Sequence, residues 1–418
     1  MWLCNVLINT VAERIGYQKT NGGGWLQGLA EDIVLKDDVE LAVVFPQVRN
    51  IDILQGITNN IRYYGFYESE KTKDKLVLKS RFLDIINDFK PDVIHIFGTE
   101  FLHSLLLVEV ARERKLLDQV VVSIQGMPSV YAKHVYAGIP LKVVYGFSLR
   151  DIIKKDNIYL NTKDLIKRGK FEEVTIKNVK NVIGRTDWDK ACVARLNSSI
   201  RYYYCNETLR REFYNHKWKI NECEKHSIFV SQCHKPIKGF HIVLEAAKDL
   251  VHKYPDLKIY TTGRDLLNVG IKEYHTLTKY QQYIIKLIDK YGLRQNVVFC
   301  GFLSEKEMCL RYLKSNVFVS ASSIENSPNS VGEAMLLGVP TISSDVGGVK
   351  NMLLHDVEGY IYPFDEPYML SYYIDQVFSN DELAIRLSSN AQIHAELTHN
   401  GQENANKLVS IYCSMLSE

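Results

Sequence analysis

Short, apolar, β-prone runs alternate with helical segments along most of the 418-residue chain. In the first half these runs fall at residues 39–45, 91–97 and 120–125, and in the second half they fall at residues 257–261 and 317–320. Such alternation is the pattern of parallel sheets joined by right-handed crossover helices. The chain is long enough for two or three domains with sizeable cores. The sequence therefore predicts an α/β protein with two doubly wound, Rossmann-like domains.

The two alternating sets define the predicted domain boundaries. Residues 1–200 are expected to form an N-terminal Rossmann-like domain and residues 227–398 a C-terminal one, with residues 201–226 as a crossover linker. Residues 399–418 are expected to form a helix that packs back toward the N-terminal domain. In doubly wound sheets, ligands bind outside the carboxyl ends of the strands. The expected ligand site is therefore a cleft between two such edges.

Composition and charge argue against several classes of protein. Apolar residues make up 46% and charged residues 24% of the chain, which is ordinary for a globular protein. A net charge of +2 is far from the strongly basic balance of a nucleic-acid binder. The eight cysteines form no C-x-x-C pair, so neither a zinc site nor a redox motif is indicated. The sequence shows neither a signal-peptide pattern nor an apolar run long enough to span a membrane, and a cytoplasmic location is expected.

Residues 317–340 predict a buried strand, a polar loop and then a helix. Glu325 lies in the loop, and Glu333 follows in the first turns of the helix with seven residues between the two. A helix start presents free backbone N–H groups and a partial positive charge. The unit therefore predicts a phosphate site flanked by two carboxylates that can accept hydrogen bonds from sugar hydroxyls. The alternative is an ordinary capped helix after a strand, as in any α/β domain.

A second glycine-rich helix start lies near the N-terminus. Gly22, Gly23 and Gly24 precede a helix predicted at residues 26–33. Three glycines let the backbone come close to an anion, and the alternative is a flexible turn. A dinucleotide-binding fingerprint would need glycine at Gln27, so a nicotinamide or flavin site is not expected.

Other polar residues follow strands at the same edge of the first predicted sheet. These are Glu100, Gln125 and Arg185. Just beyond them, Asp187-x-Asp189 resembles the metal-binding D-x-D of a different transferase architecture. We interpret it instead as a helix cap with acidic residues in the first turn. No metal site is expected.

Five features of the C-terminal half, taken in order, resemble glycosyltransferase family 4. They are Pro236-Ile237-Lys238-Gly239, Thr262-Gly263, Phe299-Cys300-Gly301-Phe302, the Glu325-to-Glu333 spacing within SIENSPNSVGEAMLLGVP, and Ser344-Asp345-Val346-Gly347-Gly348. The N-terminal half is similar to members acting in bacterial surface-polysaccharide assembly, through NGGGWLQGLA, PDVIHIFGTE and NVIGRTDWDKA. The resemblance covers nearly the whole chain. It implies the GT-B fold and sugar transfer from a nucleotide donor with retention of configuration.

The resemblance also implies roles for individual residues. Lys238 would offset the charge of the donor diphosphate as the sugar–phosphate bond breaks. Glu325 would hold hydroxyls of the donor sugar and stabilise positive charge at its anomeric carbon, and Glu333 would accept hydrogen bonds from the ribose hydroxyls. The other donor-binding positions are Gly23, Gly24, Gln232, Gly263, Arg264, Gly301, Phe302, Asn326, Ser327, Pro328, Asn329 and Ser330.

The donor side departs from the family's pattern at one position. Most members carry an arginine six residues before the lysine, whereas this chain has Gln232 there. A second cation must then come from elsewhere, and the candidates are Lys235, Arg264 and Arg185.

The acceptor side departs from the pattern as well. Phe97 and Gln125 each stand where many members carry histidine, so an acceptor-activating histidine is not assured. His95 lies in mid-strand and is expected in the core. The acceptor-side candidates are Glu100, Gln125, Tyr131, His134 and Arg185.

The leading interpretation is a retaining, metal-independent hexosyltransferase that uses a UDP- or GDP-sugar and no cofactor. The departing β-phosphate would take the acceptor proton, so no protein nucleophile is required. The expected acceptor is a glycan or a lipid-pyrophosphate-linked sugar in capsule, O-antigen or exopolysaccharide synthesis. Two alternatives stay open: a nucleotide-sugar epimerase of related fold, and an inactive scaffold. Intact Glu325, Lys238 and Glu333 argue against the scaffold.

Residues 142–180 are basic, with ten Lys/Arg against five Asp/Glu. A solvated helix face is the common explanation of such a run. The alternative is a surface that contacts anionic lipid at the inner face of a membrane. Its members would be Lys154, Lys155, Lys167, Arg168 and Lys170, with Ile152, Ile153, Leu165 and Ile166 nearby.

Overall fold

The computed structural model of the chain describes residues 1–17, 23–47, 54–67 and 72–417. The chain divides into two compact units. The first unit comprises Met1–Ser129, Ile166–Arg210 and Thr398–Glu418. The second comprises Val130–Leu165 and Arg211–Leu397.

The described residues form fourteen β-strands, which belong to two sheets. In chain order they are β1 (Trp2–Cys4), β2 (Leu41–Pro46), β3 (Gln55–Thr58), β4 (Ile61–Phe66), β5 (Ile94–Phe97), β6 (Val120–Ser123), β7 (Asn181–Gly184), β8 (Arg201–Tyr204), β9 (Glu224–Val230), β10 (Lys258–Thr261), β11 (Val297–Phe299), β12 (Ser315–Ser320), β13 (Thr341–Ser344) and β14 (Tyr360–Tyr362).

Helices separate most of these strands. The α-helices of the described residues are α1 (Asn9–Arg14), α2 (Gly24–Ile33), α3 (Thr72–Phe89), α4 (Leu102–Glu113), α5 (Pro128–Tyr131), α6 (Leu141–Val144), α7 (Leu149–Lys154), α8 (Ile158–Asn178), α9 (Asp187–Leu196), α10 (Phe240–Lys253), α11 (Ile271–Tyr274), α12 (Lys279–Lys290), α13 (Glu305–Leu313), α14 (Asn329–Leu337), α15 (Pro367–Ser379), α16 (Asp381–Thr398) and α17 (Gly401–Leu416). Within that part of the chain, no helix combines the length and apolarity needed to cross a membrane.

The first unit is built around an eight-stranded sheet with the strand order β3-β4-β2-β1-β5-β6-β7-β8. Neighbouring strands are parallel except β3 and β4, which pair in antiparallel fashion at one edge. The central strands are buried apolar runs, as parallel strands covered on both faces must be. The C-terminal helix α17 shares one hydrophobic cluster with α2 and β1.

The second unit contains a six-stranded, fully parallel sheet with the order β11-β10-β9-β12-β13-β14. Thr261 at the end of β10 pairs with Val230 of β9 and Phe299 of β11, and Ser320 of β12 pairs with Ser343 of β13. The strands therefore end at nearly one level. Loops that follow them lie along a single edge, where α/β proteins place their ligands.

Residues 130–165 belong to the second unit, although the division drawn from the sequence placed them in the N-terminal domain. His241 of α10 donates from its Nε2 to the carbonyl oxygen of Ala137 at 3.3 Å, and the backbone N–H of Lys279 donates to the Asp151 carboxylate at 2.8 Å. These partners are 104 and 128 residues apart in sequence. Helical periodicity identifies such a segment as helical but does not identify the sheet on which it packs.

The linker prediction also needs correction. Residues 201–204 form strand β8 at the edge of the first sheet, where Tyr202 and Tyr203 pair with Val182 and Ile183 of β7. The run of tyrosines is a β-strand signal, because aromatic side chains pack well on a pleated surface. Gly22, which belongs to the predicted glycine-rich helix start, lies outside the described residues.

The prediction that His95 is a core histidine is confirmed. It lies in β5 with 1% of its surface exposed. Its Nδ1 is 2.6 Å from the hydroxyl of Tyr412, and its Nε2 is 2.7 Å from the hydroxyl of Ser123. Burial lowers the pKa of His95 well below its ordinary value, because a protonated ring would lose its hydration. The ring is therefore a neutral link between β5, β6 and the C-terminal helix.

Candidate functional site

The second sheet carries its candidate site on the loops that follow three of its strands. The loop after β12 contains Glu325, the turn after β9 contains Lys238, and the loop after β13 contains Gly347. All three strands are parallel, and β9 and β13 both pair with β12. Their carboxyl ends therefore bring loops that are distant in sequence to one place.

Glu325 and Lys238 form an ion pair in which the lysine ammonium donates a hydrogen bond to the carboxylate. The same carboxylate oxygen accepts a hydrogen bond of 2.7 Å from the Ser322 hydroxyl. The side chain of Glu325 is 11% exposed and that of Lys238 is 26% exposed. The ion pair stabilises both charges, since an unpaired charge in a partly buried position costs free energy of folding. The site thus holds a carboxylate and an ammonium group side by side.

Two glycines let neighbouring backbones approach the loop that carries Glu325. A Cβ atom on Gly239 would lie 1.7 Å from the carbonyl oxygen of Ala321, and one on Gly347 would lie 1.8 Å from that of Glu325. Both glycines have positive φ angles, 68° and 53°, which other residues adopt only with strain. The backbone N–H of Gly348 donates to the Glu325 carbonyl oxygen at 3.1 Å. Glycine is therefore required at both positions, because a side chain there would collide with the backbone of the loop that carries Glu325.

Helix α14 begins four residues after Glu325. Pro328 occupies its N-cap position, and its side chain makes no capping hydrogen bond. Glu333 lies in the second turn and is 6% exposed. The helix start adds a partial positive charge beside the two acidic residues. The strand, loop and helix predicted for this part of the chain are confirmed.

The residues between Glu325 and the body of α14 differ in exposure. Asn326 and Pro328 are buried, whereas three small polar residues are half-buried, namely Ser327, Asn329 and Ser330. The hydroxyl of Tyr312 donates to the carbonyl oxygen of Ser330 at 3.1 Å. Small polar side chains thus reach the surface where the helix dipole is positive.

Tyr131 and His134 contact the loop that carries Glu325. The backbone N–H of Asn326 donates to the Tyr131 hydroxyl at 2.8 Å, and the Ser323 hydroxyl donates to the carbonyl oxygen of His134 at 2.9 Å. Both residues were expected on the acceptor side of the first domain, and this expectation is wrong in its placement, because both belong to the second unit. Their hydrogen bonds help to hold the loop that carries Glu325.

The ends of β10 and β11 meet through their glycines. The backbone N–H of Gly263 donates to the carbonyl oxygen of Gly301 at 2.9 Å. Phe302 follows with 85% of its surface exposed, so its ring faces solvent. This hydrogen bond keeps Gly263 and Gly301, two of the predicted donor-binding residues, together. The exposed ring of Phe302 follows directly after Gly301.

Arg264 and Gln232 also lie after strands of this edge. The Arg264 guanidinium donates to the Thr276 hydroxyl at 2.7 Å and lies 3.5 Å from the Glu273 carboxylate. Gln232 is half-buried just after β9. In this structure Arg264 is therefore engaged with the segment at residues 273–276, while the Glu325 carboxylate has Lys238 as its cation.

In the first unit, Arg185 and Gln125 share Glu207 as a partner. The Arg185 guanidinium lies 2.5 Å from the Glu207 carboxylate, which also accepts a hydrogen bond of 2.9 Å from the Gln125 amide. Sequence reasoning missed Glu207, because it lies in an irregular segment without periodicity. Gly23 and Gly24 lie at the start of α2.

Glu100 is buried against Arg168. Their carboxylate and guanidinium are 3.0 Å apart, and the guanidinium lies over the Phe101 ring at 4.8 Å from its centroid. Close by in sequence, burial raises the pKa of Glu172 to about 8, although hydrogen bonds from Ser129 oppose this shift. Arg168 is half-buried, and its guanidinium is engaged with Glu100 and the Phe101 ring within the first unit.

The interpretation of Asp187-x-Asp189 as a helix start is confirmed. The Thr186 hydroxyl caps α9 by accepting the backbone N–H of Asp189 at 3.1 Å. The Asp189 carboxylate accepts the backbone N–H of Arg185 at 3.1 Å, and the Asp187 carboxylate accepts the Tyr204 hydroxyl at 2.5 Å. Across the described ranges, no group of three or more His, Cys, Asp or Glu side chains is arranged to hold a metal ion.

Comparison with known sequences places this site in a recognised type of domain. Residues 210–394 match the family described as "Glycosyl transferases group 1". Spore coat protein SA of Bacillus subtilis is 30% identical over 213 residues, which are 49% of this chain and 52% of that protein. The chain spans about half the length of the curated relatives it matches.

Comparison with solved structures concerns nearly the whole chain. Sucrose-phosphate synthase from Thermosynechococcus elongatus superposes with a TM-score of 0.70 at 14% identity, covering 96% of this chain and 94% of that one. HepE from Anabaena, in complex with UDP and glucose, superposes with a TM-score of 0.67 at 14% identity, covering 99% and 98%. The chain therefore has the GT-B fold, as predicted.

Replacement of Tyr131 by phenylalanine tests the support of the Glu325 loop. The Asn326 N–H loses this partner, and an unsatisfied buried N–H costs roughly 1–3 kcal/mol. We expect faster amide hydrogen exchange in peptides covering residues 321–330, with the remainder of the second sheet unchanged. Tyr136→Phe, in the same segment, is the control. Equal exchange in the two variants would contradict the role given to the Tyr131 hydroxyl.

Proposed function

We propose that the protein is a retaining glycosyltransferase of family 4. It moves a hexose from a UDP- or GDP-sugar to a glycan or lipid-pyrophosphate-linked acceptor in capsule, O-antigen or exopolysaccharide synthesis. The observation that carries this proposal is the Glu325–Lys238 pair beside the start of α14. The family match over residues 210–394, which includes this pair, supports it. UDP bound to HepE, a protein of the same fold, supports a nucleotide-sugar donor.

Lys238 is proposed to bind the donor diphosphate. A lysine ammonium has three N–H donors, so Lys238 can bond to Glu325 and still donate to a phosphate oxygen. Negative charge grows on the β-phosphate as the bond to the sugar breaks, and a positioned cation stabilises that charge. The dipole of α14 acts in the same direction, because the helix start is positive.

Glu325 and Glu333 are proposed to hold the sugar and the ribose. The Glu325 carboxylate would stabilise the positive charge that develops at the anomeric carbon, and its bonds to Ser322 and Lys238, which orient it, support this role. Glu333, buried in the second turn of α14, would accept hydrogen bonds from the ribose hydroxyls. The half-buried Ser327, Asn329 and Ser330 would donate to the phosphates and the sugar.

The acceptor hydroxyl is proposed to lose its proton to the departing β-phosphate on the same face of the sugar. The bond between the anomeric carbon and the phosphate oxygen breaks as the bond to the acceptor oxygen forms, which retains the configuration. No protein nucleophile enters this scheme. Lys238 and the α14 dipole supply the positive charge, so the reaction is proposed to need no metal ion.

Replacement of Lys238 by alanine should lower turnover about a hundredfold or more, because one charge-stabilising group is lost. The assay uses radiolabelled nucleotide sugars with and without a membrane lipid extract. Label that moves into lipid supports the transferase, an altered sugar nucleotide supports an epimerase, and no turnover by the wild-type protein supports a scaffold. Lys286→Ala, an exposed lysine on α12, is the control. Turnover of Lys238→Ala within threefold of wild type would give this role to another cation.

Chelation provides a separate test of metal independence. We expect the same transfer rate in excess EDTA, because the proposed charge stabilisation comes from Lys238 and the α14 dipole. The measurement is the initial rate of label transfer before and after dialysis against the chelator. Complete loss of activity that magnesium restores would overturn this part of the proposal.

We also propose that residues 141–155 rest on an anionic membrane at the cytoplasmic face. Two neighbouring isoleucines of α7 are strongly exposed, with Ile152 at 60% and Ile153 at 78% of their surfaces. Lys154 and Lys155, which follow directly, are exposed too. Exposed apolar side chains next to cations are the composition that binds anionic lipid surfaces. This placement would bring the enzyme to a lipid-linked acceptor.

Vesicle co-sedimentation tests the membrane proposal. Binding to anionic vesicles should fall with salt and weaken in the variant Lys154→Gln/Lys155→Gln, because each cation contributes about 1 kcal/mol near the surface. Ile152→Ser/Ile153→Ser should weaken binding at all salt concentrations. The matched control is Lys286→Gln/Lys290→Gln on α12, whose lysines are also exposed. Equal binding to neutral vesicles, or no binding to either kind, would contradict the proposal.

A further inference from the structure

A small recess lies in the first unit at the carboxyl ends of β5, β6 and β7. Its apolar walls include Trp25, Phe97 and Ile183, and its polar lining includes His95 and Ser123. The enclosed part measures about 20 Å³, which is room for one water-sized group such as a single hydroxyl. The recess can therefore admit one polar group of a larger molecule that stays outside it.

Four side chains form a hydrogen-bond relay that ends at this recess. The Trp2 indole N–H donates to the Tyr412 hydroxyl at 2.9 Å. That hydroxyl is 2.6 Å from Nδ1 of His95, whose Nε2 is 2.7 Å from the Ser123 hydroxyl. Trp2, His95 and Ser123 are buried. Because Tyr412 belongs to α17, the relay links the C-terminal helix to the recess.

The relay contains one proton more than it has bonds. An indole N–H can only donate, and a neutral imidazole carries a single N–H. Burial lowers the pKa of His95 and raises that of Tyr412, so the ring is neutral and the phenol keeps its proton. With the two hydroxyl protons, four protons serve three bonds. Since Trp2 is a donor at one end, the proton left over belongs to Tyr412 or to Ser123.

The surroundings decide between these two residues. Within the part of the chain that the structure describes, the Tyr412 proton has no acceptor other than His95, and Tyr412 does not line the recess. A buried donor without an acceptor costs free energy, so the Tyr412 hydroxyl donates to Nδ1 of His95. The His95 proton is then on Nε2 and is donated to the Ser123 oxygen. The Ser123 proton is the one left over, and it lies where a ligand oxygen can accept it.

The rest of the lining suits an uncharged oxygen atom. Arg185 lines the recess, and its Nε–H is buried with no hydrogen-bond partner among the described residues. The charge of Arg185 is offset by the Glu207 carboxylate at 2.5 Å. Two free donors without a net charge favour a hydroxyl oxygen over an anion.

We propose that the Ser123 hydroxyl donates a hydrogen bond to a hydroxyl oxygen of the acceptor sugar, and that His95 and Tyr412 are the residues that position it. The proposal rests on the proposed transfer function and adds residues outside its motifs. Ser123 can donate to the ligand only while His95 keeps its proton on Nε2. Helix α17 therefore controls the direction of a hydrogen bond at the recess.

NMR of isotope-labelled histidine nitrogens tests the relay without any transfer activity. We expect His95 to be protonated on Nε2. His241 is the reference in the same spectrum, because the Ala137 carbonyl oxygen can only accept and so holds the His241 proton on Nε2. In Tyr412→Phe the partner of Nδ1 is lost, and His95 should show both tautomers. A proton on Nδ1 of His95 in the wild-type protein, or an unchanged His95 tautomer in Tyr412→Phe, would overturn the relay.

The transfer assay with the membrane lipid extract tests the role of Ser123. Ser123→Ala should raise the half-saturating concentration of the extract about five- to tenfold, because one hydrogen bond to the ligand is lost. The KM for the nucleotide sugar should stay as in wild type. Tyr412→Phe, which keeps the Ser123 hydroxyl, should give a smaller rise and serves as the test if Ser123→Ala does not fold. Ser414→Ala, whose hydroxyl bonds within α17, is the control.

The outcomes separate this proposal from the proposed function. An unchanged half-saturating concentration of the extract in Ser123→Ala would overturn the role of Ser123 while the transfer function stands. An equal rise in the KM for the nucleotide sugar would overturn it as well, because the defect would not be specific to the acceptor. Absence of transfer by the wild-type protein would refute the proposed function, and the ligand role of Ser123 with it.

Discussion

Close backbone contact around the loop at residues 321–326 is the constraint on which the second unit's site depends. Gly239 approaches this loop from the end of β9, and Gly347 approaches it from the end of β13. Neither approach leaves room for a side chain, so the carbonyl oxygens of Ala321 and Glu325 lie directly beside neighbouring backbone. The level ends of the parallel strands make this contact possible. Backbone packing thus sets the position of the loop, and the Ser322 and Lys238 side chains orient the Glu325 carboxylate on it.

Residues 130–137 also form hydrogen bonds with that loop. The Tyr131 hydroxyl and the His134 carbonyl oxygen bind it, while the Ala137 carbonyl oxygen binds His241 in α10. Burial lowers the pKa of His241 to about 4, so the ring is neutral at neutral pH and its Nδ1 can accept the Tyr280 hydroxyl. A segment that lies between β6 and β7 in the sequence therefore stabilises the loop that carries Glu325 in the second unit. Changes in this segment are therefore expected to shift the loop that carries Glu325.

Three partly buried cations each have a carboxylate partner. Lys238 faces Glu325, Arg185 faces Glu207, and Arg168 faces Glu100. Removing one member of such a pair is more damaging than replacing both, because the remaining charge stays poorly hydrated. Asp156 is paired in the same way with Arg150, and the buried Asp151 carboxylate accepts the backbone N–H of Lys279 at the start of α12.

The amino-acid sequence by itself determined the two parallel sheets and the place of Glu325, Lys238 and Glu333, because strand and helix periodicity, glycine positions and short motifs are local properties of the chain. It could not assign residues 130–165 to a unit, and it missed β8 and Glu207. The Tyr131–Asn326 hydrogen bond joins residues 195 positions apart, and the Gln125–Glu207 bond joins residues 82 apart. Such pairs depend on how whole helices pack on a sheet, and the local hydrophobic pattern of the sequence does not encode that packing. The tertiary structure alone therefore decided which side chains hold the Glu325 loop, and that the buried Asp151 carboxylate joins α7 to the start of α12.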